Sequence, residues 1–182
     1  MSERKLLLHC CCGPCSTACV ERLRSEGIEP VLFYCNDNIL DIGEWEKRLE
    51  NLVKFAEAQK LRVEISPYDH EAWLNDVAGL ENEPEGGTRC AACFRHSLRI
   101  AAEFAAGNGF AQFTTSLSVS PHKRSSMLFE AGTECADAVP QIQFAPYDFK
   151  KKNGYQRSVQ LASEYELYRQ QFCGCEFSIR AQ

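Results

Sequence analysis

Residues 6–16 read LLLHCCCGPCS, and this stretch decides the fold class. The apolar run over residues 5–10 predicts a strand, and the residues from Gly13 to about Ser25 have a helical pattern that stops before Gly27. We interpret the stretch as a strand, a cysteine-rich loop and a helix. Since this is the first half of the repeating unit of α/β proteins, it predicts a parallel sheet if the pattern recurs.

The alternation of strand and helix does recur along the chain. Four further apolar runs predict strands, at residues 31–35, 62–65, 111–115 and 141–145. Helices are expected from about Gly43 to Ala56, from Cys90 to Ala106, from Ser120 onward and over residues 155–169. The sequence therefore predicts an α/β fold: a parallel sheet flanked by helices, in a single domain over residues 1–182, with a last helix and a Cys-Gly-Cys segment at its C-terminal end.

Composition narrows the class of protein. Of the 182 residues, 45% are hydrophobic and 25% are charged, which is typical of a domain that buries its own core. No apolar stretch approaches the roughly 18 residues of a membrane span, so no membrane partner is expected. The apolar run at residues 6–8 is too short for a secretory leader, and we expect a cytoplasmic protein.

The net charge of −5 is unevenly distributed. Residues 26–85 contain 15 acidic side chains against 5 lysines and arginines, whereas the segments on either side are net positive. Short basic clusters at residues 122–124 and 150–152, together with Arg157, could bind a phosphate backbone. Runs this short are also typical of solvated loops.

The chain has eleven cysteines, about 6% of its residues. That share lies below the roughly 8–10% of a disulfide scaffold, and the number is odd, so we expect thiol or metal chemistry. Four cysteines lie at strand or helix positions and are interpreted as core residues: Cys10, Cys19, Cys35 and Cys135. The other seven form three groups: Cys11, Cys12 and Cys15; Cys90 and Cys93; Cys173 and Cys175.

Two Cys-x-x-Cys units predict a metal site, since paired thiolates at a helix start chelate one ion or cluster. Loops at the carboxyl ends of parallel strands meet in one crevice, so the units of Cys12–Cys15 and Cys90–Cys93 can share a site. Spacing alone leaves zinc and an iron–sulfur cluster open. A closed zinc site would leave Cys11 and the Cys-Gly-Cys segment without a role, which favours redox chemistry.

Six fragments, in this order, carry a resemblance to a known family. They are residues 8–16, Phe33-Tyr34 with Asn36 and Asn38, residues 89–95, residues 114–117 with 120–123, residues 148–151 and residues 173–175. Nearly end to end, the sequence resembles the cobalamin-independent epoxyqueuosine reductases, the QueH family.

The resemblance implies an enzyme with an adenine-nucleotide α-hydrolase-like, three-layer α/β fold, carrying a [4Fe-4S] cluster. It would reduce epoxyqueuosine at the wobble position of tRNA to queuosine, the last step of that pathway, and would need an external electron donor. The implied cluster ligands are Cys11, Cys12, Cys90 and Cys93, and the implied redox-active pair is Cys173 with Cys175. Spacing by itself favours Cys12 with Cys15. Cys15 is therefore a spare thiol, a ligand in place of Cys11, or a ligand of one additional mononuclear iron.

For the RNA, the candidate phosphate contacts are the basic residues Lys123, Arg124, Lys150, Lys151 and Arg157. A flipped-out base is expected to stack on Phe33, Tyr34 or Trp45, of which Trp45 has the helical spacing of a core residue.

Two alternatives stay open on the sequence alone. A cluster-dependent tRNA thiolase shares the fold type, but it should have a glycine-rich phosphate loop where this chain has residues 12–16. A zinc-stabilised binding module without catalysis would use the same paired thiolates.

Overall fold

The computed structural model describes residues 5–179. The central strand of its sheet is β1 (Leu6–Cys10), and all five residues of this strand are buried. It pairs in parallel with β2 (Pro30–Tyr34) on one side and with β4 (Gln112–Thr115) on the other. The edge strands are β3 (Val63–Ile65) and β5 (Gln143–Phe144), giving the order β3-β2-β1-β4-β5. The predicted parallel sheet is confirmed, and its carboxyl edge carries the loop after Cys10.

Helices connect the strands and cover both faces of the sheet. Their bounds are α1 (Gly13–Ser25), α2 (Ile42–Gln59), α3 (His70–Asp76), α4 (Thr88–Gly107), α5 (Ser125–Asp137), α6 (Gly154–Glu164) and the single turn α7 (Glu176–Ile179). Within residues 5–179, no helix is both long and apolar enough to cross a bilayer.

Alternation along the strands divides the core into two layers. Leu6 and Leu8 of β1 pack with α1, α2 and α6, whereas Leu7 packs on the opposite face with α4 and α5. Successive side chains of a strand point to opposite faces, so a sheet covered on both sides requires largely apolar strands, as residues 6–8 illustrate. The predicted α/β class, with helices on both faces, is confirmed.

Two predicted helix boundaries are wrong, and two short helices were missed. The helix expected from Ser120 begins at Ser125, because residues 116–119 form a 3-10 helix and the Ser120 hydroxyl caps a turn by accepting from His122 N–H. The last long helix, expected to reach Arg169, ends at Glu164, since Glu166 has a left-handed backbone (φ 51°) that terminates it. Helices α3 and α7 were not predicted.

The four cysteines assigned to the core are buried as expected. Cys10, Cys19, Cys35 and Cys135 are all at most 8% exposed. Cys35, which ends the second apolar run, packs with Leu7 and Phe33 and not at the crevice.

Candidate functional site

The loop after β1 brings three thiols together at the carboxyl edge of the sheet. The sulfur atoms of Cys11, Cys12 and Cys15 all lie within 4.8 Å of one another. Cys12 is the N-cap of α1, and its sulfur accepts a hydrogen bond from the Cys15 N–H at 3.3 Å. Gly13 is required here, because a Cβ at this position would lie 2.8 Å from the backbone oxygen of Asn51.

Neighbouring groups set the protonation of this cysteine group. The pKa of Cys11 is held well below its usual value by hydrogen bonds from the Cys12 and Cys15 thiols, and Ser116 adds to the effect. The Ser116 hydroxyl lies 3.6 Å from the Cys11 sulfur and also accepts from the Cys11 N–H. Burial raises the pKa of Cys12, and the bonds to Cys11 and Cys12 raise that of Cys15. These effects favour the thiolate form of Cys11 and the thiol forms of Cys12 and Cys15.

Cys90 and Cys93 lie on the first turns of α4, one helical turn apart. The Cys90 sulfur accepts from the Gly86 N–H at 3.2 Å. Arg89 donates to the carbonyl oxygens of Leu80, Glu81 and Glu83, which wraps the preceding loop around the helix start. Burial raises the pKa of the Cys93 thiol, and the charge of nearby Cys173 adds to the increase.

The Cys-Gly-Cys segment (residues 173–175) reaches the same region from the other end of the chain. Cys175 is buried and packs with Trp73, and burial raises its pKa. Cys173 is half-buried, and its sulfur lies 3.8 Å from the Asn38 side-chain nitrogen.

Two adjoining cavities connect the three cysteine groups. The large cavity, of about 590 Å³, is lined by Cys11, Cys15, Cys93 and Cys173 among other residues. The small cavity, of about 60 Å³, is lined by Cys90, Cys93, Cys173 and Cys175. The structure thus brings all three groups to one region. Among residues 5–179, the group whose sulfurs lie within 4.8 Å of one another is that of Cys11, Cys12 and Cys15, without Cys90 and Cys93.

Lys123 is the cation between these groups and lines both cavities. Burial alone would lower its pKa, but the charge that the surrounding cysteines would carry as thiolates raises that pKa above its usual value. These cysteines are Cys173, Cys11, Cys93 and Cys90. An ammonium at this point offsets the negative charge that several thiolates would otherwise concentrate.

The remaining basic candidates divide into two sets. Arg124 is exposed beside the small cavity, and Lys151 is exposed in the loop before α6. Lys150 instead donates to the Lys123 carbonyl and to Ser125, and Arg157 pairs with Glu21 and Glu164. Arg124 and Lys151 are therefore exposed, whereas Lys150 and Arg157 are already bound to other groups of the protein.

Two aromatic expectations are wrong. Phe33 and Tyr34 are at most 1% exposed, because both belong to the central part of the sheet and face the two core layers. Neither ring can stack a base. Trp45 packs against the core, as its spacing indicated. The aromatic residues that do line the large cavity are Phe94, Tyr155 and Phe172, and Phe172 is 38% exposed.

Several polar residues of the large cavity were missed by sequence reasoning. Arg169 and Gln170 follow α6, and the Arg169 Nη1 and Gln170 Oε1 atoms are buried in the wall without a hydrogen-bond partner. An unsatisfied buried donor and acceptor facing a cavity are available to a ligand. Arg48 also lines the cavity, although its helical spacing with Glu44 is that of an ordinary surface ion pair. No local signal in the sequence identifies these three.

Solved structures with this fold include tRNA-modifying proteins. The "U34-tRNA thiolase NcsA from Methanococcus maripaludis with its [4Fe-4S] cluster" aligns with a TM-score of 0.61 at 14% identity, covering 98% of this chain and 62% of that one. The "predicted subunit of tRNA methyltransferase" of Methanocaldococcus jannaschii aligns with a TM-score of 0.58 at 14% identity, covering 88% of this chain and 74% of that one. At this identity the likeness shows the fold alone, and it agrees with the adenine-nucleotide α-hydrolase-like class.

Sequence relatives define the family. The family model described as "Epoxyqueuosine reductase QueH" matches residues 6–181. Proteins with that same description are 37% identical in Acinetobacter baylyi (97% of this chain, 81% of the relative) and 32% identical in Thermotoga maritima (96% and 90%). The relative from Histophilus somni is 34% identical over 178 residues, which are 98% of this chain and 73% of the relative. The chain belongs to the QueH family of epoxyqueuosine reductases and is an oxidoreductase.

Proposed function

We propose that this reductase acts on epoxyqueuosine at the wobble position of tRNA, with an iron–sulfur cluster and the Cys-Gly-Cys segment at the two ends of one site. The observation that carries the proposal is the convergence of the three cysteine groups on two adjoining cavities. Family membership supports the reaction. The proposed cluster ligands are Cys11, Cys12, Cys90 and Cys93, and the proposed redox pair is Cys173 with Cys175.

The donor set fits an iron–sulfur cluster. Thiolates are the ligands that such clusters use, and the lowered pKa of Cys11 favours that form. Lys123 offsets part of the negative charge that such a group brings. The thiolase of the same fold holds a [4Fe-4S] cluster, which supports the same cofactor here. We assign Cys15, within 4.8 Å of Cys11 and Cys12, to one additional mononuclear iron.

The dithiol of Cys173 and Cys175 can supply the electrons and protons that the reaction consumes. Converting an epoxide to an alkene breaks two C–O bonds, consumes two electrons and two protons, and releases water. Oxidation of Cys173 and Cys175 to a disulfide releases two electrons and two protons, and an external thiol or low-potential electron donor restores the dithiol. A cluster bound by the other cysteines would supply electrons one at a time at low potential.

Residues of the large cavity are placed to receive the substrate. Its volume of about 590 Å³ lies in the range of ligand pockets, and a nucleobase fits within it. The free atoms of Arg169 and Gln170 can hydrogen-bond the base or its hydroxyl groups. We propose that Lys123 in the cavity wall, together with Arg124, Lys150, Lys151 and Arg157 outside the large cavity, contacts the anticodon-stem phosphates.

One experiment tests the reaction. Anaerobically reconstituted protein is incubated with a low-potential reductant and tRNA that bears epoxyqueuosine. The tRNA is then digested, and the masses of its nucleosides are measured by mass spectrometry. Loss of the mass of one oxygen atom is expected, whereas an unchanged nucleoside would defeat the proposed activity. Exchange of oxygen for sulfur would indicate a thiolase, and colourless protein containing zinc without labile sulfide would indicate a zinc-binding module.

A further inference from the structure

The backbone of the segment before Gly174 is held by one side chain, that of Arg48 on α2. Its Nη2 donates to the carbonyl oxygen of Phe172 at 3.1 Å, and its Nη1 donates to that of Cys173 at 3.0 Å. The guanidinium also lies over the Phe172 ring, 5.4 Å from its centroid. Two consecutive peptide groups, 124 and 125 positions along the chain, are thus fixed by one planar fork.

The Arg48 guanidinium is held in place by a buried carboxylate, that of Glu44. Arg48 Nε donates to Glu44 at 2.7 Å, and the side chains are only 4% and 10% exposed. The Tyr168 hydroxyl donates to the same carboxylate at 3.1–3.2 Å. A guanidinium with a buried counter-ion and three hydrogen bonds has little freedom to move, so the carbonyls it holds are fixed as well.

The loop after β2 holds the segment from the other side. Leu40 N–H donates to the Gly174 carbonyl at 3.1 Å, and the Asn38 amide contacts the Cys173 sulfur. Gly174 has φ +100°, and a Cβ there would lie 3.0 Å from Ile39 and 3.2 Å from Arg48 Nη2. Only glycine suits this backbone, and it closes the segment against Arg48.

We propose that Arg48 is a positioning residue for the redox pair. It fixes the backbone at residues 172 and 173, so that the Cys173 sulfur faces the large cavity while Cys175 stays buried against Trp73. Its role in turnover rests on the proposed function of the pair, and its effect on the cysteines does not. Lysine would keep the charge at position 48 but lacks the fork that spans two carbonyls.

The test is the rate at which iodoacetamide modifies individual cysteines in the reduced, iron-reconstituted protein, measured by peptide mass spectrometry. Arg48→Lys and Arg48→Met are expected to increase the rate at Cys173 by about tenfold or more, since the segment opens locally when two hydrogen bonds are removed. The rate at Cys135, which lies on α5, is expected to stay within about twofold of the parent. In turnover, kcat should fall, and lysine should not rescue it.

A second variant perturbs the same contact from the opposite side. Gly174→Ala should reproduce the selective increase at Cys173, whereas Gly27→Ala, also at positive φ (+77°) but with open space around it, should not. Equal acceleration at Cys173 and Cys135 would show that Arg48 supports only global stability. An unchanged Cys173 rate in both Arg48 variants would also overturn the proposal. A selective change in a protein that leaves epoxyqueuosine intact would refute the proposed function and keep the positioning role.

Discussion

Asn38 and Cys173 are 135 positions apart in the chain, yet the Asn38 Nδ2 lies 3.8 Å from the Cys173 sulfur. The amide can donate a hydrogen bond to this sulfur and so fix the position from which the sulfur reacts. The contact also joins the loop after β2 to the Cys-Gly-Cys segment.

Asn38→Leu should therefore slow turnover without removing iron. Because a hydrogen bond is worth ~1 kcal/mol, we expect kcat to fall by about fivefold. The iron content per chain should not change, because the side chain is not among the proposed ligands. Single-turnover kinetics with epoxyqueuosine tRNA measures the first quantity, and a kcat equal to that of the parent would contradict the expectation.

Substitution of a proposed ligand cysteine and of a proposed redox cysteine should have different effects on bound iron and on turnover. Cys90→Ala or Cys93→Ala is expected to abolish the brown colour and bound iron, whereas Cys173→Ala should keep both and lose turnover. Cys135→Ala is the matched control, since Cys135 is buried on α5 away from both cavities, and it should retain colour and activity. Iron and sulfide assays with visible spectra distinguish the classes. A Cys173 variant with full turnover would remove that residue from the mechanism.

The sheet was the most predictable part of the molecule. Runs such as residues 6–10 and 31–35 are buried on both faces, so their apolar character gives both their type and approximate bounds. Helix ends were less predictable because they depend on single backbone conformations, such as the left-handed Glu166. Helix α3 is short and its local pattern is weak, although Asp69 caps it by accepting from Ala72 N–H.

At the site, the cysteine spacing indicated the three groups, but their contacts could not be predicted. Arg48 and Glu44 have the i,i+4 spacing of a surface pair, and the burial of Arg48 depends on a segment more than 120 positions away. Phe33 and Tyr34 were assigned to the substrate because the sequence gives the strand but not how completely the helices cover its side chains.

A buried histidine should make stability depend on pH. His96 is 2% exposed and lies between two carboxylates, 2.9 Å from Asp37 and 2.6 Å from Asp76. Burial alone would lower its pKa, but these hydrogen bonds raise it above 6.5. Since the folded pKa is raised, the stabilisation is complete below pH 6.5 and is lost as the pH rises through the folded value.

His96→Gln should therefore be destabilised more at pH 6 than at pH 9. We expect a loss of about 3 kcal/mol at pH 6, because the buried Asp37 carboxylate loses its cation. Arg99, 3.1 Å from Asp76, keeps part of the compensation in both proteins. Urea unfolding in the presence of a reductant measures the free energies, and a pH-independent difference between parent and variant would exclude this role.

Gly132 on α5 should tolerate no side chain. A Cβ there would lie 2.5 Å from the ring of Phe144, so Gly132→Ala is expected to destabilise the fold by ~1–3 kcal/mol. Gly107→Ala is the matched control: nothing lies within 4 Å of that Cβ, and a change near zero or a gain of ~0.4–1 kcal/mol is expected. Thermal unfolding compares the two, and equal midpoints would contradict the packing argument.

The basic residues should differ in their effect on tRNA binding. Lys151→Gln and Arg124→Gln should weaken binding and reduce its salt dependence, by about one in slope for each phosphate that the variant no longer neutralises. Arg157→Gln should have a smaller effect, because Glu21 and Glu164 already neutralise that guanidinium. Titrations over a range of salt concentrations measure the slopes. A larger change at Arg157 than at Lys151 would place the RNA on the face of α6.

The position of β1 in the middle of the sheet has a consequence for biosynthesis. Among the strands, β1 leaves the ribosome first, but its second neighbour, β4, is encoded about a hundred codons later. Cys11, Cys12 and Cys15 are thus translated long before the sheet edge that shelters them exists, and they must stay reduced throughout. On the proposed ligand set, iron can be inserted only after α4 has emerged, and oxidation of these thiols before that point would prevent insertion.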